Sequence, residues 1–177
     1  MRTRYKPIED GQPVFITSTI VEWIPVFTRK TYIDILIDAL SYCRQNKKLK
    51  IFAYVFMDNH IHLLVSGDNV SNIIRDFKRH SAREIIKLAE IEKKYWLLQQ
   101  FKFYRQTYKT DSDYQVWQEG FQPKQIISED MLRQKIEYIH HNPVRIGWVD
   151  KPEDWVYSSA RNYLGLEGIL EIDALEI

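Results

Sequence analysis

The sequence predicts an α+β fold, a ferredoxin-like or RRM-like antiparallel sheet with helices packed on one face. The first observation is the order of its elements, which runs strand, helix, two hairpin strands, helix, strand and helix. The second is the absence of an internal repeat, a low-complexity tract or a Gly/Ser linker from 177 residues, a length that suits one core. We therefore expect a single domain over residues 1–177.

The first strand and the first helix are distinguished by their periodicity. Residues 14–27 are rich in β-branched and aromatic side chains and predict a strand that Pro25 interrupts. Residues 31–45 place apolar side chains at helical spacing and predict a helix, which a basic bend at 44–50 follows.

A β-hairpin is predicted next. Residues 51–57 form its first strand, and residues 60–66 form its second strand. Asp58 and Asn59 are expected to make a two-residue turn between them, because both residue types tolerate a positive φ.

Two helices and a short strand region complete the predicted order. Ser71 is expected to cap a helix, and the buried stripe of that helix consists of Ile74, Phe77, Ser81, Ile85 and Leu88. Residues 114–127 resemble one or two short strands. Ser128 opens the last helix with acidic residues at the positive end of the helix dipole. Pro143 is expected to end this helix near Asn142, because proline disfavours helical geometry in the preceding residue.

The composition excludes several classes of protein. A net charge of +1 gives no global case for nucleic-acid binding, so a site for a polyanion must be a local patch. Cys43 is the only cysteine, which excludes a disulfide framework and a thiolate zinc cluster within one chain and suits a reducing cytoplasm. Because no apolar run approaches membrane-spanning length, we expect a cytoplasmic protein without a membrane partner.

His60 and His62 are the first candidate site residues. One hydrophobic residue separates them in a predicted strand, so both imidazoles lie on one face of the strand. Two neutral imidazole nitrogens can hold a metal ion and leave coordination positions open. The alternative is a pair of surface or core histidines that hydrogen-bond to their neighbours.

Tyr138 and Asn142 form the second candidate. Tyr138 lies off the apolar stripe of the last helix, and Asn142 lies one turn beyond it on the same side. A tyrosine beside an amide oxygen that can ligate a hard metal is suited to act as a nucleophile next to a ligand. His141 is a further candidate ligand or proton partner. The alternative is a boundary tyrosine beside an asparagine that caps the helix.

A basic face on the helix after the histidine strand is the third candidate. Its members are Arg75, Lys78, Arg79 and Arg83. A run of charge of this kind is usually only a solvated face. The alternative is that this basic face, together with the bend at 44–50 and with Arg145 beside the tyrosine, contacts a phosphate backbone.

Several spaced motifs carry a resemblance to a known family. Residues 54–65 (YVFMDNHIHLLV) resemble the His-hydrophobic-His, or HUH, motif of the single-tyrosine insertion-sequence transposases. Residues 138–147 (YIHHNPVRIG) resemble the tyrosine helix of their REP-associated branch, and residues 116–121 and 155–163 resemble further segments of that branch. Over about residues 14–164, the chain is therefore similar to the REP-associated tyrosine transposases.

This resemblance implies a site and a reaction. His60, His62 and Asn142 would hold a divalent metal, Mg²⁺ or Mn²⁺, with Tyr138 as the nucleophile. The implied reaction is cleavage and rejoining of single-stranded DNA through a 5′-phosphotyrosine, on a substrate that folds as a REP-like hairpin. The resemblance also implies that the tyrosine helix faces the HUH strand, and that the basic face and Arg145 contact the DNA.

The chain departs from the family pattern in two places. Phe121 stands where many relatives have a tyrosine, which implies that Tyr138 acts alone. Residues 88–113 are longer than usual and suit an extra helix or a partner contact. Relatives act as monomers or as homodimers, and the sequence leaves both states open.

Two other functions fit part of the pattern. A domesticated protein that binds hairpin DNA would keep the basic face without cutting DNA. A replication initiator or relaxase of the HUH type fits less well, because relaxases tend to place their tyrosine near the N-terminus.

Overall fold

A computed structural model describes residues 8–110 and 112–175, so residues 1–7, 111, 176 and 177 of the predicted domain lie outside the described part. Four antiparallel strands form one sheet in the order β2-β3-β1-β4. The strands are β1 (Val14–Thr19), β2 (Lys50–Phe56), β3 (His60–Ser66) and β4 (Lys124–Gln125). This topology confirms the predicted ferredoxin-like α+β fold.

Helices connect and cover the strands. Within the described residues they are α1 (Lys30–Lys47), α2 (Val70–Ile91), α3 (Tyr95–Phe103), α4 (Glu129–Arg145) and α5 (Ala160–Tyr163). The helix predicted for residues 31–45 is confirmed as α1, and α3 is the extra helix in the long segment 88–113. No helix in this described part is both long and apolar enough to cross a bilayer.

Alternation along the strands divides the sheet into two faces. On one face, Ile61 and Leu63 of β3 belong to a core that also contains the buried stripes of α1 and α2. On the other face, Phe15 of β1 and Leu64 of β3 pack with Ile139 of α4. Therefore α1 and α2 share one face, and α4 lies across the opposite face, which carries the histidines.

The strand predicted for residues 14–27 ends earlier than expected. It stops at Thr19, well before Pro25. Glu22 and Trp23 have φ values of 50° and 51°, so the chain enters left-handed geometry that no strand can continue.

The turn between β2 and β3 consists of Asp58 and Asn59, but the predicted reason for it is wrong. Neither residue has a positive φ. The segment after β1 holds the turn instead, because the Ile20 amide donates to the Asn59 carbonyl at 2.8 Å and the Phe27 amide donates to the Asp58 carbonyl at 2.7 Å. Tertiary hydrogen bonds thus fix a turn that residue preference alone does not explain.

The start of α2 also differs from the prediction. Asn69 precedes the helix with a φ of 58°, so Ser71 lies inside the first turn and does not cap it. The predicted stripe is present, with Ile74, Phe77, Ser81 and Ile85 buried and Leu88 partly buried. The region predicted as one or two short strands contributes β4 and an isolated bridge between Trp117 and Ile20.

Both ends of α4 depend on single residues. The Ser128 side chain accepts a hydrogen bond from the Met131 amide at 3.2 Å, which confirms the predicted cap. The predicted end near Asn142 is wrong, because the helix passes through Pro143 and ends at Arg145. Proline removes one backbone donor from the helix, and burial of the apolar Pro143 ring offsets part of that loss.

A buried serine joins α4 to β2. The Tyr54 amide donates to Ser159 Oγ at 2.9 Å, and the Ser159 amide donates to the Tyr54 carbonyl at 3.0 Å. His140 Nε2 of α4 lies 2.9 Å from the same hydroxyl oxygen. Burial, aided by the neighbouring His141, lowers the pKa of His140 to about 4. His140 is therefore neutral near pH 7, and the polar groups of this cluster hold α4 against the sheet edge.

We expect Ser159→Ala to lower the free energy of unfolding by about 2–4 kcal/mol, because it leaves the Tyr54 amide and a buried His140 nitrogen without their partner. Chemical denaturation measures this change. The control is Ser71→Ala, an exposed position in α2, which should change stability by no more than about 0.5 kcal/mol. Equal effects of the two substitutions would contradict the role given to Ser159.

Candidate active site

His60 and His62 lie on the face of the sheet that α4 covers. Their ring centroids are 4.8 Å apart, and the rings are inclined at 73°. β1 runs antiparallel beside them and places Thr19 opposite His60 and Thr17 opposite His62. The structure therefore brings the two imidazoles together, as the alternation of the strand predicts.

The tautomer of His60 follows from its neighbour Asn59. The Asn59 side-chain amide donates to the Trp23 carbonyl at 3.1 Å, which leaves its oxygen as the acceptor on the other side. That oxygen lies 2.7 Å from His60 Nδ1, so Nδ1 carries the proton. Burial lowers the pKa of His60, although the Asp58 carboxylate opposes this effect. The Nε2 lone pair of a neutral His60 is thus available for a ligand.

His62 is more deeply enclosed, with 4% of its surface exposed. Its Nδ1 lies 2.8 Å from Thr17 Oγ1, and the Phe15 ring stacks on it at a centroid distance of 5.5 Å. Within the described part of the chain, His62 Nε2 is buried and has no hydrogen-bond partner. A buried polar atom without a partner is costly, so this nitrogen is suited to an incoming ligand.

Burial is also the main reason why His62 stays neutral. Burial, with smaller contributions from the nearby His60, Lys135 and Arg145, lowers the pKa of His62 to about 3. A neutral imidazole is the form that ligates metals.

Tyr138 of α4 lies against His62. The two ring centroids are 5.2 Å apart, and the Tyr138 ring also meets Phe15 edge-on at 6.0 Å. The side chain is partly buried, in agreement with its predicted position beside the apolar stripe. The docking of α4 thus brings a hydroxyl-bearing side chain from the far end of the chain to the histidine strand.

Two cations flank the tyrosine. The Arg145 guanidinium carbon lies 5.3 Å from the centre of the Tyr138 ring, and Lys135 Nζ lies 5.7 Å from it. Neither cation forms an ion pair with a carboxylate within residues 8–110 and 112–175. Their uncompensated charge makes this place attractive to a phosphate.

Asn142 lies one turn beyond Tyr138 and is 7% exposed. Its position on the same side of α4 agrees with the predicted arrangement, and its role as a ligand stays a prediction. His141 does not join this group. It is exposed, and its Nδ1 lies 3.1 Å from the Glu137 carbonyl of its own helix.

The donor set favours a metal site with open positions. Across the described residues, no group of three or more His, Cys, Asp or Glu side chains could hold a metal ion. The candidate donors are the Nε2 atoms of His60 and His62, whose rings lie side by side, and the amide oxygen of Asn142, whose place at the ion stays a prediction. Two imidazoles and one amide fit a divalent ion that keeps coordination positions free for oxygen atoms of a substrate.

The predicted basic face lines a groove between α2 and residues 112–121. Arg75, Lys78, Arg79 and Arg83 all contribute to it, together with Lys109 and Trp117. Lys78 donates to the Gln118 carbonyl at 3.0 Å, and burial, with a contribution from Lys109, lowers its pKa to about 8. Arg145 lies at Tyr138 and not in this groove.

The basic bend at 44–50 is less available than the sequence suggests. Arg44 pairs with Glu171 and with Asp173, at 2.8 Å and 3.0 Å. Lys47 pairs with Asp76 at 2.6 Å. These two cations hold the C-terminal segment and α2, so their charge is partly compensated, and their contact with a phosphate backbone stays a prediction.

Sequence reasoning missed several residues of the site. Lys135 precedes Tyr138 by one helical turn, a spacing that could have indicated it. Thr17 and Phe15 could not be placed, because their contact with His62 depends on the register between β1 and β3. Asn59 was read only as a turn residue.

Comparisons with known proteins show the family of this chain. Residues 22–142 match the family of IS200-like transposases. A curated Haemophilus influenzae protein assigned by name to the REP-associated tyrosine transposases is 28% identical over 132 residues, which are 72% of this chain and 68% of that protein.

A solved structure of a REP-associated tyrosine transposase bound to a REP hairpin superposes with a TM-score of 0.69. The match covers 100% of this chain and 94% of that chain at 20% identity, and it therefore shows a shared fold. The predicted resemblance to the REP-associated branch is confirmed, and the chain belongs to the IS200-like transposase family.

Proposed function

We propose that the protein cleaves single-stranded DNA and transfers the cut strand in a metal-dependent reaction on REP-like hairpin DNA. The observation that carries the proposal is the contact between Tyr138 and His62, whose Nε2 atom is buried without a partner in the described structure. A nucleophile candidate and a ligand candidate that are distant in sequence meet there, beside two cations that have no carboxylate partner in the described part of the chain.

Tyr138 supplies the nucleophile. Its phenolic oxygen releases its proton to solvent and attacks the phosphorus of the scissile phosphodiester, so the O–H bond breaks and a new bond joins that oxygen to phosphorus. The bond from phosphorus to the 3′ oxygen breaks, and the departing oxygen takes up a proton as a 3′-hydroxyl. Lys135 and Arg145 stabilise the negative charge on the attacking oxygen and on the phosphate. The product on the protein is a 5′-phosphotyrosine.

The same residues support strand transfer. A 3′-hydroxyl from the same strand or from another strand attacks the phosphotyrosine, and the Tyr138 oxygen leaves. The bond that forms replaces the bond that breaks, so the reaction needs no external energy source. Partial burial of Tyr138 between α4 and the sheet limits access of water to the linkage, which favours rejoining over hydrolysis.

His60, His62 and Asn142 would hold Mg²⁺ or Mn²⁺. When bound, the ion would polarise the scissile phosphate as a Lewis acid. The hydrogen bond from His60 Nδ1 to Asn59 and the contact between His62 Nδ1 and Thr17 orient both rings. Both Nε2 atoms are thereby left to the ion.

The basic groove provides a place for the DNA backbone. Its cations Arg75, Arg79 and Arg83 are exposed along one side of α2. A REP hairpin is the ligand in the solved structure of a REP-associated relative. We therefore assign a hairpin to this groove, while Arg145 contacts the phosphate that is cut.

A second function uses the groove alone. A domesticated protein that binds hairpin DNA without cutting it would keep Arg75, Lys78, Arg79 and Arg83. It would have no use for a buried His62 whose Nε2 atom lacks a partner in the described structure. The groove lies on α2, and the histidines lie on the opposite face of the sheet. The two functions are therefore separable by mutation.

The first experiment tests cleavage. The substrate is hairpin DNA from the flanks of the protein's own gene. Its label lies 3′ of the cut, in the fragment whose new 5′ end stays attached to the protein. This DNA is incubated with Mn²⁺ and protein, and the products are separated on a denaturing gel. We expect a covalent adduct with the wild type and none with Tyr138→Phe. Loss of a residue that hydrogen-bonds to a metal ligand typically reduces activity by roughly 10- to 100-fold. His62→Ala removes the proposed ligand itself, so we expect it to reduce adduct formation by more than that.

The binding measurement on the same DNA completes this test. Both variants should retain wild-type affinity, since neither residue lies in the groove. Tight binding by the wild type without an adduct, across hairpins from both flanks, would contradict the cleavage proposal and support the binding function.

The second experiment tests the groove. We expect Arg79→Ala to weaken hairpin binding and to reduce the slope of log affinity against log salt concentration by about 1, because one phosphate contact is lost. Lys87→Ala is the control, since Lys87 is exposed on α2 but does not line the groove. Equal losses of affinity in the two variants would show that the groove is not part of the DNA interface.

A further inference from the structure

Trp23 occupies an unusual backbone position beside the histidine strand. Glu22 and Trp23 are consecutive, and both lie in the left-handed region with φ values of 50° and 51°. A bulky residue is rarely found there, and such a conformation costs roughly 1–3 kcal/mol unless the surroundings hold it. The chain therefore keeps a tryptophan at a place that asparagine or glycine would occupy more easily.

Hydrogen bonds connect this place to the candidate active site. The Trp23 carbonyl accepts from the Asn59 side chain at 3.1 Å, and the other end of that side chain orients His60. The Trp23 amide donates to the Ile20 carbonyl at 3.0 Å, and the Ile20 amide donates to the Asn59 carbonyl at 2.8 Å. The Trp23 backbone is thus held by Asn59, the residue that precedes the proposed metal ligand His60.

The indole of Trp23 is largely exposed to solvent. It is 60% exposed, and within the described residues it has neither an aromatic neighbour nor a hydrogen bond from its ring nitrogen. By contrast, the ring nitrogens of Trp117 and Trp155 donate to Ser81 Oγ and to the Phe56 carbonyl. A strained, anchored backbone here presents a large aromatic surface to solvent.

We propose that Trp23 is a stacking platform for an unpaired base of the DNA strand that enters the site. The proposal rests on the proposed function. An indole offers a flat π surface, and stacking on an aromatic side chain is the way in which proteins hold successive unpaired bases. The cations near the phosphate, Lys135 and Arg145, hold the backbone, while Trp23 holds a base and thereby sets which phosphate reaches Tyr138.

The experiment is carried out in a Tyr138→Phe background, so that binding is measured without cleavage. Trp23→Asn removes the aromatic ring, and asparagine readily adopts the left-handed backbone conformation at this position. Trp23→Phe keeps an aromatic surface. The control is Trp96→Gln, because Trp96 is 62% exposed on α3 and matches Trp23 in exposure. The probes are a hairpin with an unpaired extension and the same hairpin with a blunt end.

We expect Trp23→Asn to weaken binding of the extended hairpin by roughly 10-fold, the loss that one stacked base produces. Its affinity for the blunt hairpin should not change. Trp23→Phe should keep most of the affinity, and Trp96→Gln should bind as the parent does. The unfolding temperature of Trp23→Asn should equal or exceed that of the parent, because the backbone strain is relieved.

An abasic scan of the unpaired extension tests the same contact by changing the DNA while the protein stays unchanged. One abasic position should weaken binding by the parent as much as Trp23→Asn does, and should have no further effect on that variant. Parent-like affinity of Trp23→Asn, an equal loss on the blunt hairpin, or an equal loss in Trp96→Gln would each overturn the proposal. These outcomes are read from binding alone, so they are distinct from a failure of the wild type to form an adduct.

Discussion

The structure depends on the docking of α4 across the face of the sheet that carries the histidines. Ile139 packs with Phe15 and Leu64, and Ser159 joins His140 to the backbone of β2. These contacts place Tyr138 against His62, although the two residues are far apart in the sequence. Without this docking, the histidines of β3 would have no tyrosine beside them, and Tyr138 would be a boundary residue on an amphipathic helix.

The electrostatic arrangement around this contact has two parts. Burial keeps His60 and His62 neutral, which suits them as ligands. Lys135 and Arg145 flank the tyrosine from positions on α4, and no carboxylate in the described part of the chain pairs with them. Under the proposed function, a phosphate would meet the imidazole nitrogens on one side and positive charge on the other. The basic groove on α2 is a separate surface, so the proposed DNA binding and the proposed chemistry would use different parts of the protein.

The periodic features of the sequence were predictable, and the features that depend on tertiary contacts were not. Strand alternation correctly placed His60 and His62 on one face, and helical spacing placed Tyr138 beside the stripe that docks. The contact between Thr17 and His62 needs the strand register, and the pairing of Arg44 with Asp173 needs the path of the C-terminal segment. The same reason explains the length of α4: packing of its last turn outweighs the local preference at Pro143.

The most direct test of this account locates the covalent linkage within the chain. After incubation with Mn²⁺ and hairpin DNA, the protein is digested with trypsin and nuclease and examined by mass spectrometry. Trypsin cuts after Lys135 and after Arg145, and Tyr138 is the only tyrosine of the resulting peptide 136–145. The account predicts that a nucleotide phosphate is attached to this peptide. Attachment to a peptide with a different tyrosine, or the absence of any attachment while binding is intact, would contradict it.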